Sequence, residues 1–431
     1  MILQYKILPR NWVLTKIEGV CINPQYGYTT KASKYGDLKL LRTTDITSGK
    51  IDWEKVPYCT KNPDDIEKYI LNDGDIVISR AGSVGFSYLI QNPEKAIFAS
   101  YLIRFKPLIK KRYFKYFLNS PFYWNSISEK KLGIAVPNVN ANKLKSIIIP
   151  LPPFNEQNRI VEKIEELFSD LDKATDDLKK TQEQLKIYRQ SVLKAAFEGK
   201  LTEKWREQNN IELSFEEVSL KDIADIIMGQ SPPSSTYNAN RVGLPFYQGK
   251  KEFGNLYPTP EKYCSEPKKI AESNDILISV RAPVGPTNFC KEKSCIGRGL
   301  AAIRTKEEIK NFYLFYYLRY FVFSLIEKST GTTFSAISKD TLESFKVLLF
   351  SLQEQQQIIS EIESRLSVCD KLEETVQQSQ KKIEYLRQSI LKKAFEGKLV
   401  SQNPEDEPAE KLLERIKQEK EKFELNKKKR K

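Results

Sequence analysis

The chain repeats itself, and the repeat limits what it can fold into more than any other feature. Arg189-Gln190-Ser191-Val192-Leu193-Lys194, running on to Ala196-Phe197-Glu198-Gly199-Lys200-Leu201, returns 198 residues later as Arg387-Gln388-Ser389-Ile390-Leu391-Lys392 and Ala394-Phe395-Glu396-Gly397-Lys398-Leu399. Glu156-Gln157 and Glu354-Gln355 keep the same offset. With a slightly different one, Asp75–Ser79 matches Asp275–Ser279, and Val84-Gly85 matches Val284-Gly285. Stacked-repeat folds have periods of roughly 20–50 residues, so a period this long means two copies of one unit. Each copy is a globular part followed by a long helix, and the two are expected to be related by pseudo-two-fold symmetry.

The helical parts carry heptads. Ile160, Ile164, Leu167, Leu171, Ala174, Leu178, Thr181, Leu185, Tyr188 and Val192 step alternately by four and three. Ile358, Ile362, Arg365, Cys369, Leu372, Val376, Ser379, Ile383, Leu386 and Ile390 do the same in the second copy. Heptads sustained over this length specify a coiled coil. Ser351 with Glu354 reads as a capping box, and Gly199 and Gly397 stand where each helix should stop. The expected seam includes Ile164, Leu171, Leu178 and Leu185 in one helix and Ile362, Leu372, Val376 and Ile383 in the other. Two such helices in one chain pack most simply antiparallel, which predicts a globular domain at each end of a rod.

The fold class expected is therefore α+β, with two mixed α/β domains joined by two long helices in an antiparallel coiled coil. The boundaries read from the sequence are a first domain at 1–153, a helix at 154–199, a linker and second domain at 200–351, a second helix at 352–397 and a charged tail at 398–431. The globular parts hold β-rich runs (Asp75–Ser79, Ala96–Lys106, Asp275–Val280, Leu300–Arg304) punctuated by Gly and Pro. Aromatic-rich helices are expected at Arg112–Ile127 and Asn311–Glu327, with their Phe and Tyr in the core.

Composition removes whole classes of chemistry. The chain has no histidine, which excludes Ser–His–Asp triads, Cys–His dyads and His-ligated zinc. Its six cysteines form no CxxC pair, so structural thiols are expected and no metal or cofactor is called for. No apolar run approaches the roughly 20 residues of a membrane span. The start shows no signal-peptide pattern, and a cytoplasmic, membrane-free protein is expected. Lys plus Arg number 70 against 56 acids, a formal charge of +14, and a surplus of that kind favours nucleic acid as partner. The segment from Lys411 to Lys431 supplies six of those charges and reads equally well as a solvated tail.

No motif for catalysis survives inspection. Leu151-Pro152-Pro153-Phe154 has the Pro-Pro-aromatic core of amino-methyltransferases, but Leu stands where a polar side chain must hold the target amino group. Gly243 to Gly249-Lys250-Lys251 has the wrong glycine spacing for a phosphate loop, and Lys251 replaces its Ser/Thr. Pro63-Asp64 with Glu67 lacks the lysine of a nuclease site.

The repeated set of Leu151-Pro152-Pro153-Phe154-Asn155-Glu156-Gln157, long heptad helix and closing Ala-Phe-Glu-Gly-Lys-Leu resembles the specificity subunits of type I restriction–modification systems, over essentially the whole chain. The second copy departs from the pattern at Phe350-Ser351-Leu352-Gln353. The resemblance implies a DNA-binding subunit with no catalysis of its own. Each globular part would be a target-recognition domain for one half of a bipartite site in double-stranded DNA. The helices would act as ruler and as docking surface for two methyltransferase (modification) subunits. Restriction subunits with translocase and nuclease activity would join that core.

Reading bases needs Arg or Lys for guanine, Asn or Gln for adenine, and hydroxyls on loops or helix starts. The polar, glycine-adjacent loops supply Arg42, Thr43, Arg80, Ser83, Lys130 and Lys131 in the first copy. In the second they supply Gln230, Ser231, Lys250, Lys251, Arg281, Thr332 and Thr333. Two other readings stay open at this point: a solitary DNA-binding protein, and a coiled-coil scaffold whose ends bind proteins.

Overall fold

The computed structural model describes residues 8–131, 138–328 and 336–429. It divides into two compact units. Unit 1 joins Met1–Asp177 to Ser379–Lys431, and unit 2 is the continuous segment Leu178–Gln378. Each unit therefore contains half of each long helix.

Unit 1 is organised by a four-stranded antiparallel sheet in the order Cys21–Tyr26, Leu102–Pro107, Ile76–Ser79, Ser87–Leu89. Ile76–Ser79 is buried throughout because both its faces are covered. Side chains alternate across a strand. Ile76 and Ile78 accordingly join the helical core, and Val77 turns to the other side with Leu41, Phe98 and Leu102. There a second sheet packs, ordered Ala32–Ser33, Tyr58–Cys59, Lys39–Leu41, Ala96–Phe98, its last pair parallel. Unit 2 repeats the plan. Its antiparallel sheet runs Ala224–Met228, Leu300–Thr305, Ile276–Ser279, Thr287–Phe289, and its second sheet has five strands. Ile276 and Ile278 face the helical core and Leu277 the second sheet.

Two local expectations change. The run Ala96–Lys106 is two strands, Ala96–Phe98 and Leu102–Pro107, which belong to different sheets. The helix expected over Arg112–Ile127 is Lys111–Phe117 followed by Pro121–Lys131. Pro121 has no N–H to continue the first helix and instead starts the second. The aromatic side chains do lie inside: Tyr113, Phe114, Phe117 and Tyr123 are fully buried.

The long helices are Phe154–Phe197 and Leu352–Phe395, each of 44 residues. In unit 1, Ile160 and Ile164 share a core with Leu391, Ala394 and Phe395. Further along, the Arg387 guanidinium meets the Asp172 carboxylate at 2.5 Å, so the segments run antiparallel. In unit 2, Val192 and Phe197 share a core with Ile358 and Ile362, and Arg189 reaches Asp370 at 2.6 Å and Glu373 at 3.0 Å. The partners Arg189 and Asp370 match Arg387 and Asp172 by the same 198-residue offset.

The seam differs in detail from its sequence pattern. Ile164, Leu185, Ile362 and Val376 are buried, and Leu171, Leu178 and Ile383 are half-buried. Leu372, however, is 47% exposed, and so is not a seam residue. The covered stripe of the second helix passes one position on, through Glu373 and Arg387, and leaves Leu372 and Leu386 outward. Each of those charges finds an opposite charge on the other helix, and that turns the polar residue inward at the apolar one's expense.

Both helices end at a left-handed glycine, Gly199 at φ 73° and Gly397 at φ 70°, a conformation that costs glycine nothing. The described part of the tail, residues 398–429, is docked on unit 1. Ala409–Lys429 is a helix whose Ala409, Leu412 and Ile416 are buried in the core of unit 1. Their i, i+3, i+7 spacing is hidden in the sequence by the charge around them. Asp406 pairs with Arg159, and Gln402 Nε2 donates to the Glu156 carboxylate at 2.7 Å.

Among the described residues no helix is long and apolar enough to cross a membrane, and no cluster of acidic and cysteine side chains could hold a metal ion.

Candidate nucleic-acid interface

A buried glutamine holds the start of each long helix at the Ile76 and Ile276 ends of the main sheets, and the loops leave the same strands at the other end, after Ser79 and Ser279. In unit 1 the Gln157 side chain, fully buried, donates to Pro152 O and accepts from the Lys110 backbone N–H. In unit 2 Gln355 donates to Phe350 O and accepts from Lys310 N–H. The neighbouring glutamates are held differently. Glu156 accepts from Trp12 Nε1 at 3.0 Å and from Gln402, and burial raises its carboxyl above the usual range. Glu354 accepts from Thr202 Oγ1 at 2.7 Å and from the Arg206 guanidinium at 2.5 Å. Ser351 Oγ accepts from Glu354 N–H, so the cap is half formed while the carboxylate faces Arg206.

At the end of the sheet where Ser279 pairs with Leu300, unit 2 presents a concavity of about 260 Å³ lined by Ser231, Gln248, Gly249, Lys250, Ser279, Arg281, Ala282, Arg298 and Gly299. Three residues picked from the sequence, Ser231, Lys250 and Arg281, come together here. Arg298 was missed, although an arginine set between Gly297 and Gly299 was a legible sign. Arg281, Arg298 and Lys250 are exposed, and no ion-pair partner is present for any of them among the described residues. Gln230 is exposed beside the concavity, its N–H bonded to Ile296 O. Lys251 does not join it: its ammonium pairs with Glu261 at 2.6 Å, which raises its pKa. Thr332 and Thr333 lie outside the described residues.

Unit 1 presents its candidates otherwise. Arg42 makes a two-pronged contact with Asp45, at 2.8 Å and 3.1 Å, within its own turn. Its charge is answered locally. Thr43 Oγ1 is buried with no hydrogen-bond partner among the described residues. Ser83 is exposed, and its carbonyl accepts from Ser79 Oγ. Lys130 and Lys131 end a helix, but their side chains lie outside the described residues.

Arg80 and Arg281 are one position out of step: the offset that matches Ser79 to Ser279 sets Arg80 against Val280, and the structure keeps that register. Val139 N–H donates to Arg80 O, and at the corresponding place Ile337 N–H donates to Val280 O. The bridge Ala81–Asn138 corresponds to Arg281–Ala336. Arg80 thus occupies the place of buried Val280, and Arg281 that of Ala81. Neighbouring side chains in extended chain point to opposite sides. Arg80 is half-buried, its guanidinium 5.1 Å from the Tyr26 ring centre and its Nε buried without a partner among the described residues. Arg281 projects into the open concavity.

Known proteins place this arrangement. Residues 9–187 and 212–385 both match the family described as type I restriction modification DNA specificity domain. The chain is 35% identical to the type I restriction enzyme MjaX specificity subunit of Methanocaldococcus jannaschii, covering 91% of this chain and 94% of that one. It is 26% identical to the EcoKI specificity subunit of Escherichia coli, over 96% of both. Among solved structures, the HsdS subunit of Thermoanaerobacter tengcongensis superposes with a TM-score of 0.56 at 30% identity, over 91% of this chain and 98% of that one. A structure described for complex assembly and conformational transition of the type I R-M system superposes with a TM-score of 0.73, also at 30% identity, over 91% and 100%.

Proposed function

Because the chain belongs to the type I restriction–modification DNA specificity family, we propose that each unit reads one half of a bipartite duplex site and that the paired helices keep the two half-sites at a fixed spacing. Specificity subunits are the non-catalytic, DNA-reading component of their enzymes, and that is the role of this chain. In this reading the helices also dock two methyltransferase subunits, to which restriction subunits carrying translocase and nuclease activity are added. The protein works in the cytoplasm, where its DNA is.

The observation that carries the reading is the contrast between a repeated frame and unlike mouths. Gln157 and Gln355 make the same pair of hydrogen bonds, and Arg387 and Arg189 make matching ion pairs. The loops that leave the sheets present their charges differently: Arg80 is half-buried against Tyr26, whereas Arg281 lines an open concavity with Lys250 and Arg298. A partner that binds twice needs the first property, and two different half-sites need the second.

The test is methylation-sensitive long-read sequencing of DNA from cells that carry this chain with its methyltransferase subunit. A bipartite motif is expected. Replacing residues 212–350 with the equivalent segment of another specificity subunit should change one half of that motif and keep the other. A change in both halves, or a motif without a spacer, would overturn the division of labour.

A further inference from the structure

We infer that Arg298 reads a guanine in the half-site of unit 2, while Arg281 and Lys250 hold the flanking phosphates. This rests on the reading of unit 2 as a DNA-recognition domain. The three cations share one concavity, but the backbone beneath them is fixed to different degrees. Arg298 N–H donates to Ser231 Oγ at 3.2 Å. On one side a Cβ at Gly297 would stand 3.2 Å from Ser231 Oγ and 3.3 Å from Gln248 Cα. On the other, a Cβ at Gly299 would stand 2.2 Å from Gln248 O. The two glycines let the chain of Ser231 and Gln248 close against the Gly297–Gly299 turn. Arg298 is thereby set on a platform that has no slack at either neighbour.

That rigidity matters for one kind of contact and not for the other. A guanidinium fork makes two parallel hydrogen bonds to guanine O6 and N7, which requires the fork to arrive at a set position and angle. Phosphate tolerates a mobile charge at the rim, such as the Lys250 ammonium on its flexible stem. No carboxylate among the described residues neutralises Arg298, whereas Lys251, next to the concavity's Lys250, is ion-paired with Glu261. An uncompensated fork carried on a fixed backbone in a recess has the form of a base reader. Ser231 is then a positioning residue.

The full-length chain, bound to a library of duplexes randomised in both half-sites and measured at several salt concentrations, decides it. The native chain should prefer a G·C pair at one position of one half-site. R298A should relax that preference by roughly 10- to 100-fold and leave the other half-site untouched. R298K keeps the charge and loses the fork, so it should lose the same preference at an unchanged salt slope. S231A should weaken that preference alone. R281A and K250A should each weaken all sequences evenly and lower the salt slope by about one. If R298A weakens binding evenly and lowers the salt slope, Arg298 is a phosphate contact and the inference fails. It fails equally if R298K retains full preference. A native chain with no sequence preference in either half-site would instead sink the proposed function itself.

Discussion

Units 1 and 2 solve the same problem with different parts, and the parts come from different places in the chain. Each must satisfy a buried glutamate at the start of a long helix. Unit 2 does so with Thr202 and Arg206, just beyond the end of the first helix. Unit 1 does so with Trp12 and with Gln402, which lies just beyond the end of the second. One carboxylate is matched by a full opposite charge and the other by neutral donors, and burial accordingly raises the Glu156 carboxyl. A repeated backbone plan therefore does not imply repeated energetics.

The largest effect that would separate the units comes from shortening the chain after Gly397. Unit 1 would lose Gln402, the Asp406–Arg159 pair and the buried Ala409, Leu412 and Ile416. Fully burying one Leu or Ile contributes about 1.5–3 kcal/mol, so unit 1 should be destabilised by more than about 5 kcal/mol while unit 2 keeps its stability. Hydrogen exchange resolved by segment is the measurement. Equal loss in both units would show that they do not fold as separate units.

Removing one partner of each glutamate sharpens the comparison. R206A leaves the Glu354 carboxylate buried with only Thr202, which should cost about 3–5 kcal/mol in chemical denaturation. Gln402→Ala leaves Glu156 with Trp12 and should cost about 1–2 kcal/mol. Similar losses would mean that the charge on Arg206 contributes little beyond its hydrogen bonds.

The smallest difference is in pH dependence. Lys115 in unit 1 is half-buried, its ammonium donating to Ser87 O and to Ser87 Oγ at 3.2 Å, and desolvation lowers its pKa from 10.5 to about 8. At the matching edge of unit 2, Arg319 donates to Thr287 Oγ1 while stacked 4.1 Å from the Phe315 ring centre. A depressed lysine pKa means that the folded state releases its proton first. The favourable contribution is complete above 10.5 and is lost as pH falls through about 8. Lys115 should contribute a gain of up to about 1.4 kcal/mol per pH unit across that window, and the difference between the native chain and K115M should show that slope. Arg319 stays charged throughout, so no such trend is expected in unit 2.

What the sequence made legible was whatever rests on periodicity. The heptads and the identical Ala-Phe-Glu-Gly-Lys-Leu stretches located both helices, because a long helix needs only local spacing to declare itself. The seam through Glu373 and Arg387 was not legible, because it depends on charges across the interface rather than on apolar spacing. Nor were the partners of Glu156 and Glu354, which are brought in by chain closure from distant segments. Arg80 and Arg281 misled for a subtler reason. They sit beside matching strands, yet a shift of one position reverses the side to which each points. The charged surroundings of Leu412 and Ile416 hid a docked helix inside what read as a tail.

The closure of unit 1 by residues from the far end of the chain has a consequence for how the molecule is made. On the ribosome, unit 2 is a continuous segment and has all its residues once Gln378 has emerged. Unit 1, begun first, waits for Gln402, Asp406 and Ala409–Lys429. Until then its buried face from Trp12 to Ile164 lacks its cover. The half begun before unit 2 is finished after it, and a nonsense codon between Gly397 and Ala409 would be felt in a domain whose translation began before unit 2.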